Sequence, residues 1–293
     1  MNIKYLQQKY KLSQEEHDNL YKEIKKKIIG NRQPGRKICN IIIGQNGSGK
    51  STYSKILQDE DDSLVIINGD YIRSFHPYVN ELMSLYPKDY CYILLDDWNM
   101  WKDRLYQDII SEGYSVNFET TFYDPTKTIS LIDLLKSNGY TFNFYIIALD
   151  YIESRLRVLE RFFNSFGQTG TGRIIDADYQ NKAFNNITNF IGNFDLLGVE
   201  FITILDYNFI PYNIWCGSGQ SKLILNLIRK MYKPMINENF IIRFENLKSL
   251  YQMYENLLED NIKQRCSEQM KELDEYLSID SINVEPHRRM QII

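Results

Sequence analysis

The sequence predicts an α/β fold in which a parallel sheet is flanked by helices and followed by a helical C-terminal extension. Up to residue 205, apolar runs of strand length alternate with segments of helical periodicity, which is typical of a parallel sheet with helices on both faces. Beyond residue 206 the periodicity is that of amphipathic helices. We therefore expect an N-terminal helical segment over residues 1–36, a core over residues 37–208 and the extension over residues 209–293.

The individual elements follow from the local patterns. The predicted strands are Lys37–Ile43, Ser63–Asn68, Tyr114–Thr120, Tyr140–Leu149 and Val199–Leu205. The predicted helices are Ser13–Ile29, Thr52–Leu57, Thr126–Lys136, Tyr151–Phe163, Leu223–Met231, Phe244–Leu258 and Asn261–Leu277. Ser13 and Glu16 have the spacing of a capping box at the start of the first helix. Residues 278–293 are expected to be loose.

The composition is that of an ordinary globular protein. Hydrophobic residues make up 43% of the chain and charged residues 25%, which excludes a disordered chain and a collagen-like fibre. Cys39, Cys91, Cys216 and Cys266 form no CxxC pair, so we expect reduced thiols in a cytoplasmic protein. The net charge of -4 predicts no nucleic-acid partner. We expect no membrane partner either, because no apolar run approaches the roughly 20 residues that span a bilayer.

A glycine-rich run follows the first predicted strand and precedes a helix. Residues Gly44–Ser51 (GQNGSGKS) match the phosphate-loop pattern GxxxxGK[ST] in full. Its glycines let backbone N–H groups converge on phosphate oxygens, and the helix N-terminus adds a partial positive charge. Lys50 is expected to reach the outer phosphates of ATP (or GTP) and Ser51 to ligate Mg²⁺. The predicted nucleotide-binding residues are Gly44, Gln45, Asn46, Gly47, Ser48, Gly49, Lys50, Ser51 and Thr52. The core is therefore predicted to be a sheet of the P-loop NTPase type.

Acidic residues at the ends of predicted strands are candidates for catalysis. Asp70 follows the second strand, at the edge where α/β sheets bind ligands. There it is suited to accept the proton of an acceptor hydroxyl, as in small P-loop kinases, and equally suited to cap a helix. The runs Cys91–Asp97 and Phe142–Asp150 each resemble a buried strand that ends in an acid, and each aspartate is equally suited to cap a helix. No single Walker B acid therefore stands out.

Two arginines flank a loop-like stretch in the second half of the core. Arg161 and Arg173 lie on either side of Asn164–Gly172 (NSFGQTGTG), which has the composition of a mobile lid. Arginines at the edges of such a lid stabilise charge on a phosphoryl group in transfer. Two solvated surface arginines are the alternative interpretation.

Several of these motifs, taken in order, resemble the zeta-toxin family of bacterial toxin–antitoxin systems. The matching stretches are the phosphate loop, Asp70–Pro77 with its His-Pro pair, Ser111–Thr121, Leu159–Phe162 and Gly172-Arg173. Together they span about residues 37–205. The resemblance implies a kinase that phosphorylates the 3′-hydroxyl of the sugar in UDP-N-acetylglucosamine and is opposed by a small helical antitoxin.

The resemblance also assigns roles to residues at matching positions. It implies that Asp70 is the general base and that Lys50, Arg161 and Arg173 act on the phosphates. It further implies that Glu119 and Thr121 line the acceptor site. Asp103 stands where the family has a glutamate that contacts the substrate.

The acceptor side departs from the family pattern. Where the family has EGTGRT, this chain has Glu119–Asp124 (ETTFYD), without the glycines and without the arginine, which Tyr123 replaces. A tyrosine supplies no positive charge to a diphosphate. The sequence therefore leaves two classes of acceptor open. One is a UDP-sugar, and the other is another small acceptor such as a nucleoside, an antibiotic or a polynucleotide end. A nucleotide-dependent switch and a binding protein without transfer activity are the remaining alternatives.

Overall fold

A six-stranded sheet forms the centre of the computed structural model, which describes residues 2–86, 89–231 and 238–283. Its strands are β1 (Ile38–Ile43), β2 (Val65–Ile67), β3 (Val116–Thr120), β4 (Thr141–Ile147), β5 (Phe201–Leu205) and β6 (Pro211–Trp215). They lie in the order β2-β3-β1-β4-β5-β6, and only β6 runs antiparallel to its neighbour. The predicted parallel sheet is confirmed, with one unpredicted strand beyond residue 208.

Thirteen α-helices within the described ranges surround this sheet. They are α1 (Ile3–Lys9), α2 (Gln14–Ile29), α3 (Lys50–Glu60), α4 (Gly69–Arg73), α5 (Val79–Leu85), α6 (Tyr90–Ile93), α7 (Leu95–Glu112), α8 (Pro125–Ser137), α9 (Tyr151–Thr169), α10 (Ala177–Phe190), α11 (Ser221–Met231), α12 (Glu238–Tyr254) and α13 (Asp260–Asn283). Helix α2 begins with the predicted capping box. Helices α1, α4 to α7 and α10 were not predicted. In the part of the chain that the structure describes, no helix has the length and apolar composition needed to cross a bilayer.

The interpretation of Cys91–Asp97 as a buried strand is wrong. Residues 90–93 form α6, and α7 begins at Leu95. The buried residues Tyr90, Ile93, Leu94 and Asp97 recur every three or four positions, whereas Tyr92 between them is exposed. This spacing is helical, and the short apolar run conceals it.

Two helices continue beyond the residues at which the sequence predicted them to end. Helix α9 continues to Thr169, where Gly170 takes a positive φ of 70°, so most of the predicted lid Asn164–Gly172 is helical and that prediction is wrong. Helix α13 continues through residues 278–283, which were expected to be loose. The remainder of that stretch, residues 284–293, lies outside the described residues.

Two hydrophobic clusters position the active-site elements. The larger one joins α2, α7, α8 and α11 to the sheet. The second joins α9 to the extension, and its fully buried members include Leu156, Leu159 and Phe163 from α9 and Phe244 and Cys266 from the extension. Helix α9 therefore links the sheet to the C-terminal helices, and the residues it carries depend on both.

Candidate active site

The phosphate loop lies at the carboxyl end of β1 and leads into α3. Gly47 and Gly49 have positive φ angles of 78° and 95°, which glycine adopts without strain. A Cβ at Gly47 would lie 2.7 Å from the carbonyl oxygen of Ser154, so α9 leaves no room for a side chain there. The Gln45 side chain donates to the Leu149 carbonyl at 2.9 Å, which ties the loop to the end of β4. The loop is thus built as a rigid cradle.

Lys50 occupies this cradle at the first position of α3. Its Nζ donates to the carbonyl oxygens of Gly44 at 2.7 Å and Gln45 at 3.0 Å. Burial lowers the pKa of Lys50 to about 8, an effect that Arg161 adds to and Glu119 opposes. A triphosphate in the loop would stabilise the ammonium form, and so the residues present fit the phosphates of a nucleotide.

We expect the binding of Mg²⁺-ATP to be coupled to proton uptake above neutral pH. With a pKa of about 8 in the free protein, most Lys50 side chains are neutral at about pH 8.5 and become charged when phosphate binds. Uptake should reach roughly 0.7 proton per nucleotide at that pH. Calorimetric titration in two buffers of different ionisation enthalpy measures it directly. Lys55→Met, at an exposed position of the same helix, should keep the uptake, whereas Lys50→Met should abolish it.

Ser51 and Glu119 form the part of the site suited to a metal ion. Ser51 Oγ donates to Glu119 Oε2 at 2.8 Å, and Glu119 Oε1 is buried without a hydrogen-bond partner among the described residues. A hydroxyl and a carboxylate are ligands that Mg²⁺ prefers, so the pair fits that ion. Glu119 closes β3, the neighbour of β1, and therefore lies where a Walker B acid is needed. The sequence signal was an acid at the end of the strand predicted over Tyr114–Thr120.

We expect Glu119→Gln to lower the affinity with which Mg²⁺ binds together with ATP. An amide keeps the shape of the side chain but removes the negative charge that faces Ser51. Loss of a supporting carboxylate at a metal site typically costs about 10- to 100-fold in metal affinity. When the Kd for ATP is measured at increasing Mg²⁺ concentrations, the Mg²⁺ concentration that gives the half-maximal effect should rise by about tenfold or more. Glu60→Gln, at the exposed end of α3, is the matched control and should leave the titration unchanged.

Asp70 lies in the first turn of α4, but it is not the residue that caps this helix. The side chain of Asn68 is the N-cap and accepts from the backbone N–H groups of Asp70 and Tyr71. Asp70 Oδ1 instead accepts from Arg73 Nη1 at 2.7 Å and from Arg173 Nη1 at 3.2 Å. Partial burial in the cleft raises the pKa of Asp70, but the Arg173 and Arg73 guanidinium groups outweigh this and hold the pKa below its usual value. Asp70 is therefore ionised at neutral pH.

A cavity of about 280 Å³ joins Asp70 to the predicted arginines. Arg161, from α9, and Arg173, from the segment after Gly170, both line it. The Arg161 charge acts on the pKa of both Lys50 and Asp70, so it lies within electrostatic reach of the phosphate loop and of this cavity. The cavity thus brings Asp70 together with Arg161 and Arg173, which lie about 90 or more positions later in the sequence. It also adds Arg73, which the sequence analysis missed although it lies one helical turn after Asp70.

A second cavity, of about 710 Å³, borders the first. Arg73 and Arg173 line both, so the larger cavity lies beside Asp70. Its other lining residues are largely aromatic or charged, and they include Tyr90, Tyr92, Trp98, Tyr123, Tyr179, Lys182 and Arg265. Thr121 contributes through its hydroxyl, which lies 3.0 Å from the Tyr179 hydroxyl. This larger cavity is large enough for a nucleotide-sized molecule, and as the candidate site of an acceptor it is called the acceptor cleft below.

Neither Glu119 nor Asp103, both predicted on the acceptor side, is among the described residues that line this cleft. Glu119 faces Ser51 instead. Asp103 is exposed. It lies on α7 with its side chain 68% exposed and 4.0 Å from Lys102 Nζ. Among the described residues it lines neither of the two cavities. Its charge acts together with that of Glu119 on the Tyr106 hydroxyl, whose pKa is raised first by burial and then by both acids. Asp103 therefore lies outside the wall of the acceptor cleft.

The comparisons with known proteins point to one family. The model of the Zeta toxin family matches residues 21–207, which is more than half of the chain. Toxin zeta of Streptococcus pyogenes is 28% identical over 123 residues, or 42% of this chain and 43% of that protein. Toxin PezT of Streptococcus pneumoniae serotype 4 is 31% identical over 136 residues, or 45% of this chain and 54% of that protein. The matched stretch thus covers about half the length of these curated relatives.

One solved structure is similar over most of the chain. It comes from a characterisation of the PezAT chromosomal toxin–antitoxin system of the human pathogen Streptococcus pneumoniae. The match has a TM-score of 0.66 at 21% identity and covers 85% of this chain and 99% of that chain. The two chains therefore share a fold, and the sheet and phosphate loop described above belong to it.

Proposed function

The chain belongs to the zeta toxin family, and from this premise we propose that it is an ATP-dependent kinase of a small acceptor. The preferred acceptor is the sugar 3′-hydroxyl of UDP-N-acetylglucosamine or of a related UDP-sugar. The observation that carries the proposal is the single cavity in which Asp70 meets Arg161 and Arg173 beside the phosphate loop. A switch that merely binds nucleotide has no need for an ionised carboxylate at that position.

In this mechanism, Asp70 accepts the proton of the acceptor hydroxyl as the hydroxyl oxygen attacks the γ-phosphorus. The bond from that phosphorus to the bridging oxygen breaks, and ADP leaves. Arg73 and Arg173 orient the carboxylate and keep it ionised, so that the base form is present throughout the neutral range. Lys50 and Arg161 neutralise charge that spreads over the phosphoryl oxygens. Ser51 and Glu119 would hold Mg²⁺, which, when bound, neutralises charge on the β- and γ-phosphate oxygens. The Asp70 side chain is 65% exposed, and so the proton can pass to solvent afterwards.

The proposal extends to partners and location with support from the relatives. Proteins named toxin zeta and toxin PezT match 42% and 45% of this chain. We therefore propose that it is the cytoplasmic toxin of a toxin–antitoxin pair and that a small helical antitoxin opposes it. A kinase of another small acceptor is the second candidate, which the replacement of the family's arginine by Tyr123 favours.

A transfer assay tests the proposal. Purified protein, Mg²⁺-ATP and a panel of UDP-sugars, nucleosides and antibiotics are incubated, and products are identified by mass spectrometry. We expect one UDP-sugar to gain a phosphoryl group, with no gain in the Asp70→Asn protein. Transfer to a nucleoside or an antibiotic instead would establish the second candidate. ATP hydrolysis that no acceptor accelerates would contradict both kinase proposals.

A further inference from the structure

We propose that Lys182 is the residue that binds the phosphate groups of the acceptor, which is a nucleoside diphosphate or its derivative. This inference rests on the proposed function, since it concerns the acceptor cleft of that kinase. Lys182 lies on α10, three residues after Tyr179, and both side chains line the 710 Å³ cavity. They lie on one face of the helix, toward the segment that follows β3.

The position of Lys182 is set by two stacked tyrosines. The rings of Tyr123 and Tyr179 lie 4.2 Å apart and nearly parallel, with an interplanar angle of 7°. Lys182 Nζ lies 4.3 Å from the centroid of the Tyr123 ring, a cation–π contact. The bond between the Tyr179 and Thr121 hydroxyls fixes the second ring. The lysine is therefore held at the cleft wall before any ligand arrives, which lowers the entropy cost of binding.

The backbone before Tyr123 is fixed as well. Phe122 has a φ of 58°, in the left-handed region, at a position where the family resemblance places a glycine. Its ring is buried at 1% exposure and packs against Phe190 and Phe194. This packing holds the turn that presents Tyr123 to the cleft.

Four cationic side chains line the cleft, and their ion pairs distinguish Lys182 from the other three. Arg73 and Arg173 are both paired with Asp70, and Arg265 is paired with Asp176 at 3.5 Å. Lys182 is exposed and has no ion pair within the described ranges. It is therefore the cation that remains for a phosphate group. It also returns to this wall the positive charge that Tyr123, in place of an arginine, does not supply.

Titration with UDP and with uridine tests the inference on the intact chain of 293 residues. A saturating non-hydrolysable ATP analogue with Mg²⁺ occupies the phosphate loop, so that the probes report on the acceptor cleft alone. In Lys182→Gln we expect the Kd for UDP to rise about tenfold while the Kd for uridine stays unchanged. Lys182→Arg should retain the affinity for UDP. Lys222→Gln, a change of an exposed lysine on α11 that does not line the cleft, should behave as the wild type.

A double variant that moves the positive charge from position 182 to position 123 separates phosphate binding from a structural role of Lys182. Tyr123→Arg introduced into Lys182→Gln returns a cation to the same wall, and it should recover the affinity for UDP. An unchanged Kd for UDP in Lys182→Gln would overturn the inference, as would a wild-type protein that binds no UDP. Binding of UDP that depends on Lys182, without transfer to any UDP-sugar, would uphold the inference and count against the proposed acceptor. The two failures are therefore distinguishable.

Discussion

Replacing Asp70 by asparagine is expected to lower kcat by about 10³-fold, with the Kd for Mg²⁺-ATP unchanged within about twofold. Asparagine keeps the size of the side chain and an oxygen that can accept from Arg73 and Arg173, but it cannot accept a proton. The nucleotide contacts are made by the phosphate loop and Lys50, and so they should survive. Single-turnover transfer and calorimetric titration of the nucleotide measure the two quantities separately.

The control for this variant is Asp178→Asn, a change of a second acid that lines the acceptor cleft but not the cavity of Asp70. It should retain kcat within about threefold. The pH profile gives an independent check. Because the pKa of Asp70 is held below its usual value, the carboxylate is the base at every pH above it, and kcat should not fall between about pH 8 and pH 5.5 on its account. A limb near pH 6–7, or an equal loss in Asp178→Asn, would assign the base to another group.

The features that could be predicted from the sequence are those that local patterns determine. The phosphate loop is a contiguous motif, and its glycines are required by the approach of Ser154 and by positive φ angles within the loop itself. Strands β1, β2, β4 and β5 were recognisable as short, mainly apolar runs, whereas β3 carries apolar residues that alternate with polar ones. Asp70 was recognisable by its place after the second strand, although only the structure shows that Asn68 takes the capping role.

The features that could not be predicted depend mainly on contacts between residues that lie far apart in the sequence. Glu119 meets Ser51 across 68 positions, and Arg173 meets Asp70 across 103, so neither pairing has a local signature. The prediction of a strand over Cys91–Asp97 was wrong for a different reason. Its apolar run is too short to distinguish the two periodicities, and the neighbours that bury Tyr90 and Leu94 come from α1 and α5. Strand β6 was missed because it pairs only with β5 at the edge of the sheet.

The second large effect is expected at Gln269, on the extension helix α13. Gln269 is 2% exposed; its Nε2 donates to the Ile175 carbonyl at 3.0 Å, and its Oε1 accepts from Arg155 Nη1 at 3.2 Å. Gln269→Leu removes both bonds, which leaves a buried carbonyl without a donor and leaves Arg155 paired with the Glu272 carboxylate at 3.1 Å. We expect a loss of about 3 kcal/mol, which lowers the thermal midpoint by roughly 6–12 °C. Gln264→Leu, at an exposed site on the same helix, should have no effect.

The same change should also reduce kcat, because Ile175 lies two residues from Arg173 and the Gln269 bond holds that segment against α13. A second variant separates this effect from stability. In Arg155→Met with Gln269→Leu, two apolar side chains replace the buried polar pair, which should recover most of the lost stability. The Ile175 carbonyl would still lack its donor, and so kcat should stay about tenfold low. Recovery of kcat along with the thermal midpoint would mean that the extension stabilises α9 without positioning Arg173. A low kcat in a restabilised protein would show that the C-terminal helices form part of the catalytic apparatus through the segment that carries this arginine.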